Sequence, residues 1–168
     1  MTASTHSLAR ILVADPDWHA GRMLSVYLLG FDYQVSLATT SPDLDVCLRT
    51  QAPDLIVMDS SLLAESLGQA GQALRERTEV PFILLCQAAS SGERAEGLDS
   101  GAHDVMSRPF EPRELVARLQ AVLRRVPARA ERLTIDHTLR ETLWVADNRE
   151  PALIRAARGP GRVFNAPN

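Results

Sequence analysis

Residues 53–62 read PDLIVMDSSL, with four consecutive apolar side chains, Leu55, Ile56, Val57 and Met58, ending on Asp59. A run this short, apolar at successive positions and bounded by Pro and Ser, suits a strand covered on both faces, as in a parallel sheet. The same texture recurs as ILVA at 11–14, VSLA at 35–38, FILLC at 82–86 and, more weakly, VM at 105–106.

Helical segments fill the intervals. Ala20, Met23, Leu24, Tyr27 and Leu28 share one face of a first helix. Ser41 before Pro42 reads as an N-cap with Pro at the first helical position. A third helix is the weakest, because Gly68 and Gly71 sit inside it. Ser90 and Glu93 have capping-box spacing, and Gly101 suits a C-terminal cap. A last helix turns Leu115, Val116, Leu119, Val122 and Leu123 inward, with Arg113, Glu114 and Arg118 nearer solvent.

Five strands alternating with five helices over 9–125 predict an α/β fold, an open, doubly wound, five-stranded parallel sheet with right-handed crossovers. Function in such sheets gathers outside the carboxyl ends of the strands. Asp15 and Asp17 follow the first strand, Asp59 the third, Cys86 the fourth and Arg108 the fifth. Clustered carboxylates repel one another unless a cation neutralises them. A hard divalent ion such as Mg²⁺ fits, held by one or two carboxylates and several waters. An Asp beside such an ion can attack phosphorus and form an acyl phosphate.

Composition narrows the rest. The 168 residues hold one full domain with too little left for a second of ordinary size. A net charge of −3 argues against nucleic-acid binding and against attraction to anionic membranes. All 18 basic residues are Arg. Cys47 and Cys86 both fall in apolar patterns, which reads as free buried thiols rather than a disulfide or a zinc site. The N-terminus is polar and short, and no apolar run is long enough for a membrane span, so the expected compartment is cytoplasmic.

The segments ARILVADPDW, PDLIVMDSSL, VPFILLC and GLDSGAHDVMSRPFEPRELVARLQAVLRR together resemble the receiver domain of two-component response regulators, especially the OmpR/PhoB type, over residues 9–125. The resemblance implies a flavodoxin-like fold, a signalling role rather than an enzyme's, and phosphorylation of Asp59 by a sensor histidine kinase. It implies Mg²⁺ at Asp15 and Asp59, with the Ser61 backbone carbonyl as a further ligand. Arg108-Pro109 matches a Lys-Pro pair whose peptide bond is cis in the family. Arg94, Asp104, Glu114 and Arg118 match a two-fold dimer face built from helix 4, strand 5 and helix 5; the alternative is solvated surface charge.

Four positions depart from the family pattern. Pro16 replaces the second acid of the metal-binding pair, Cys86 a Ser or Thr hydroxyl, Val105 the switch aromatic and Arg108 the Lys. Together they raise a second function, a phosphorylation-independent pseudo-receiver that dimerises or binds a ligand. Several residues also carry plainer readings. Asp15 before Pro16 is a candidate N-cap, and Asp17 either replaces the missing ligand or only favours the helix dipole. Cys86 reads more readily as a plain buried thiol, and Arg108 reflects a chain that uses no Lys. An unrelated α/β enzyme fits poorly, because no phosphate-cradling glycine loop follows the first strand and no Ser-His-Asp or Cys-His arrangement is legible.

Beyond the receiver segment, 126–131 reads as a polar linker, marked by Arg124, Arg125, Arg129 and Arg132 in and around it. Residues 132–155 read as a short antiparallel β segment similar to the sheet that opens OmpR/PhoB-type winged-helix effector domains, and 156–168 as a disordered tail. No helix with a basic face follows, so DNA binding is expected only of a full effector domain.

Overall fold

The structure is a computed structural model that describes residues 8–126 and, as backbone, two short strands at 153–156 and 163–165. Five parallel strands, β1 (Arg10–Ala14), β2 (Gln34–Ala38), β3 (Leu55–Asp59), β4 (Phe82–Cys86) and β5 (Asp104–Ser107), alternate with α1 (Trp18–Leu29), α2 (Ser41–Thr50), α3 (Leu67–Arg77), α4 (Ser91–Asp99) and α5 (Pro112–Arg125). The parallel strands run β5-β4-β3-β1-β2 across the sheet. The predicted doubly wound α/β sheet is therefore present.

The apolar runs are continuous because each strand feeds two cores. Ile11, Val13, Val35, Leu37, Leu55, Val57, Ile83 and Leu85 pack with Leu24 and Leu28 of α1 and Leu115, Val116 and Leu119 of α5. The alternate residues Leu12, Ala14, Ile56, Met58, Phe82 and Leu84 pack with Leu44 and Cys47 of α2 and Ala70 and Leu74 of α3. Successive strand side chains point to opposite faces, so both faces of the middle strands are apolar up to Asp59, which ends β3. Burial, and secondarily Asp43, pushes the Cys47 thiol up to about 12, which leaves it a packing group rather than a nucleophile.

Three local expectations change. The buried face of α1 carries Gly21, Leu24, Ser25, Leu28 and Leu29, while Met23 and Tyr27 are exposed. An ideal Cβ on Gly21 would lie 2.6 Å from a Leu37 methyl and 3.2 Å from Asp15 Cβ, so the helix approaches the sheet through a small residue. Ser25 hides its hydroxyl by donating to the Gly21 carbonyl at 2.7 Å. An apolar count cannot detect a face built on Gly and Ser. The N-cap of α2 is Thr40, one residue earlier than Ser41, and it accepts from the Asp43 N–H.

The third concerns the tail. Two further strands, β6 (Leu153–Ala156) and β7 (Val163–Asn165), form an antiparallel pair, with β6 antiparallel to β2. The 156–168 tail, expected to be disordered, thus contains a strand. The linker 126–131 beyond Val126, and the segment 132–155 up to β6, lie outside the described residues.

Candidate functional site

The carboxyl ends of β1, β3 and β5 bring three charged side chains together. Asp15 follows β1 directly, its N–H donating to the Ala38 carbonyl at 3.0 Å. Asp59 is the last residue of β3. Arg108 follows β5, anchored by its N–H to the Cys86 carbonyl at 2.7 Å and followed by a cis bond to Pro109. The Asp15 and Asp59 side chains are only 4% and 8% exposed, and Arg108 is 22% exposed, so the carboxylates lie beneath the cation at the sheet edge.

Arg108 spans both acids. Its Nη2 donates to Asp15 Oδ2 at 2.5 Å and its Nε to Asp59 Oδ2 at 3.3 Å. The guanidinium also lies over the Phe110 ring, 5.8 Å from its centroid. The remaining carboxylate oxygens take donors from their own loops. Asp15 Oδ1 accepts from the Asp17 N–H at 2.8 Å, and Asp59 Oδ1 accepts from the Ser61 N–H at 3.0 Å and hydroxyl at 2.5 Å. Burial raises the Asp15 carboxyl above the usual Asp value, while the Asp17 N–H and the Arg108 charge pull it down and the Asp59 charge pushes it up.

Other expected site residues lie elsewhere. Asp17 caps α1, its Oδ1 accepting from the N–H groups of His19 and Ala20, and it is exposed. The N-cap reading offered for Asp15 thus belongs to Asp17. Cys86 is buried and points its Sγ to the Met106 carbonyl, 3.5 Å, and the Ser107 hydroxyl, 3.6 Å. Val105 is buried in the α2–α3 core with a methyl against Gly97. Arg118 pairs within the chain with Asp104 and Glu114, both at 2.8 Å, and Arg94 donates to the Ser107 hydroxyl at 3.0 Å. Phe110, the Ser61 hydroxyl and Ser107 were not singled out from sequence. Only Ser61 had a usable signal, its position two residues after an acid at a strand end.

These observations meet a family model described as the response regulator receiver domain, which matches residues 11–120. The chain belongs to that family. Among curated relatives, it is 35% identical over 118 residues to a probable transcriptional regulator, ycf27, of Porphyra purpurea, covering 69% of this chain and 48% of that protein. It is 34% identical over 116 residues to the DNA-binding response regulator MtrA of Mycobacterium tuberculosis strain H37Rv, covering 69% of this chain and 51% of MtrA. The chain thus spans about half the length of these relatives. Among solved structures, the non-phosphorylated HemR receiver domain of Leptospira biflexa superposes with a TM-score of 0.60 at 28% identity, covering 68% of this chain and 94% of that one. The BeF3-activated receiver domain of Klebsiella pneumoniae RstA gives 0.61 at 25%, covering 68% and 98%. The receiver expected from sequence is confirmed as the family, and this response-regulator receiver is a signalling domain. No helix among its described residues is long and apolar enough to cross a membrane.

The family implies Mg²⁺ at this site. The donor set does not fit it as arranged. Among the described residues, no three His, Cys, Asp or Glu side chains are grouped to hold a metal ion. Pro16 offers no side-chain ligand, Asp17 is engaged as a cap, and Oδ2 of Asp15 and Oδ2 of Asp59 are both bonded to Arg108.

Proposed function

We propose that this receiver is the input module of a transcription-linked response regulator, with Asp59 accepting a phosphoryl group from a sensor histidine kinase. The placement of Asp59 carries the reading. It closes β3 at the mouth of the sheet edge, with Oδ1 held by two donors from Ser61 and Oδ2 held only by the longer bond to Arg108. Oδ2 is therefore the freer nucleophile. It attacks the phosphorus of a phosphohistidine; the new O–P bond forms as the N–P bond breaks, and the imidazole keeps the electron pair and takes up a proton. Arg108 faces the oxygens on which charge develops, where a guanidinium fork is a strong donor.

Output follows from the remaining surfaces. In this reading Arg94, Asp104, Glu114 and Arg118 mark a homodimer face on α4, β5 and α5, and DNA contact belongs to the half of the relatives' length that this chain does not span. The test is intact mass after incubation with acetyl phosphate, in Mg²⁺ and separately in EDTA. The expected result is one added phosphoryl group, absent in Asp59→Asn.

A second reading, a phosphorylation-independent receiver, is favoured by Cys86, whose thiol is a weak donor already engaged by the Met106 carbonyl. A folded protein that gains no mass in either buffer, nor from a phosphorylated kinase, establishes that reading in place of the first.

A further inference from the structure

We infer that Arg108 is the resident cation of this site, pairing with both Asp15 and Asp59 in the place a divalent ion would otherwise take. The inference concerns the resting domain and stands whether or not Asp59 is phosphorylated.

Three observations carry it. First, the contact is a bridge and not a single pair: Nη2 reaches Asp15 while Nε reaches Asp59, from one planar group. A lysine ammonium is a compact point charge, whereas the guanidinium fork presents donors in fixed directions and stays charged at any ordinary pH. Second, the bridge is held from behind. The Arg108 backbone is tied to Cys86, and its guanidinium rests over Phe110. Third, the acidic charge to be offset is smaller, two carboxylates against one guanidinium for a net −1. With Pro16 where a second acid would follow Asp15, and Asp17 drawn off to cap α1, two buried carboxylates face the guanidinium instead of three. Every carboxylate oxygen of Asp15 and Asp59 already has a donor.

A divalent ion entering here must break both arms of the bridge and leave a guanidinium displaced beside it. The loss of the second acid and the presence of Arg108 thus form one arrangement: fewer carboxylates, both paired with a cation that is part of the chain and offsets half their charge. The consequence is a resting domain whose stability does not depend on divalent ions.

Thermal unfolding of the full chain, followed by Trp fluorescence, tests this with MgCl₂ against NaCl of matched ionic strength. The wild type is expected to shift by less than about 1 °C in roughly 10 mM Mg²⁺, the response of a site without usable affinity. Arg108→Ala exposes two unneutralised carboxylates; it is expected to melt lower without Mg²⁺ and to recover about 3 °C with it. Should Arg108→Ala not fold, Arg108→Lys, which spans one carboxylate at a time, is expected to gain a smaller Mg²⁺ response of the same sign. A wild type that Mg²⁺ stabilises as much as the variant overturns the inference. So does a folded variant with no Mg²⁺ response. Neither outcome bears on whether Asp59 gains a phosphoryl group, which the mass measurement reads separately.

Discussion

At the scale of single residues, the site combines a buried acid pair with one cation, and each partner has a different cost of removal. Breaking a buried ion pair leaves the other charge unpaired, which is costly, whereas losing a surface pair is nearly free. Arg108 belongs to the first kind. His103 illustrates a quieter electrostatic role. Its ring Nδ1 accepts from the Phe82 N–H at 3.4 Å, and burial, then the charge of Arg75, pushes it below the ordinary value of 6.5. A histidine that resists protonation when folded contributes stability that is complete above 6.5 and lost as pH falls through its lowered folded value. Denaturant midpoints measured on either side of pH 6.5 are expected to fall on the acid side in the wild type. His103→Gln, which cannot take up a proton, is expected to flatten that slope; an unchanged slope removes His103 as its source.

At the scale of elements, the helices on one side of the sheet depend on glycine for contact and not for flexibility. In α3, an ideal Cβ on Gly71 would fall 1.8 Å from the Ser100 hydroxyl oxygen and 2.8 Å from Ser100 Cβ. The α3–α4 spacing therefore admits only hydrogen there. Helix propensity favours Ala over Gly by about 1 kcal/mol, but overpacking a tight contact costs about 1–3 kcal/mol. The clash includes Ser100 Cβ, which cannot swing away, so Gly71→Ala is expected to destabilise despite its better propensity. Urea denaturation decides the sign. A net gain in stability means that the α3–α4 contact yields more easily than this geometry implies. Across the same interface α4 is started by its reciprocal cap, Ser90 Oγ accepting from the Glu93 N–H at 3.2 Å while Glu93 Oε2 accepts from the Ser90 N–H at 2.8 Å. Its only fully buried residue is Gly97, so the cap supplies much of what an amphipathic face supplies in α5.

At the scale of the molecule, the charged face of α4, β5 and α5 bears on assembly. Arg118 is 42% exposed in its pairs with Asp104 and Glu114, and such exposed pairs add under about 1 kcal/mol each to a monomer's stability. If the same face meets its symmetry mate, Arg118 has a second set of partners and a larger effect on association than on folding. Arg118→Ala is therefore expected to lower the dimer fraction in a sedimentation-velocity concentration series while hardly moving the melting temperature. A wild type that stays monomeric at every concentration removes the proposed dimer. A dimer indifferent to Arg118→Ala places the interface on another face.

The sequence alone determined the fold and the position of Asp59, because both are written in local, periodic chemistry. Five apolar runs flanked by helix caps leave few arrangements other than a doubly wound sheet, and the carboxyl ends of its strands follow directly. Asp15, Asp59 and Arg108, far apart along the chain, were expected at one edge for that reason and meet there. What periodicity missed was contact made by small or polar atoms. The inward face of α1 rests on Gly21 and Ser25, which carry no apolar signal, and the cap of α1 is Asp17 and not Asp15. Whether Cys86 faces the acids, and whether Arg108 meets one carboxylate or both, depends on side-chain direction and reach across separate strands. Only the tertiary structure decides that, because those contacts join residues whose sequence separation carries no periodic trace.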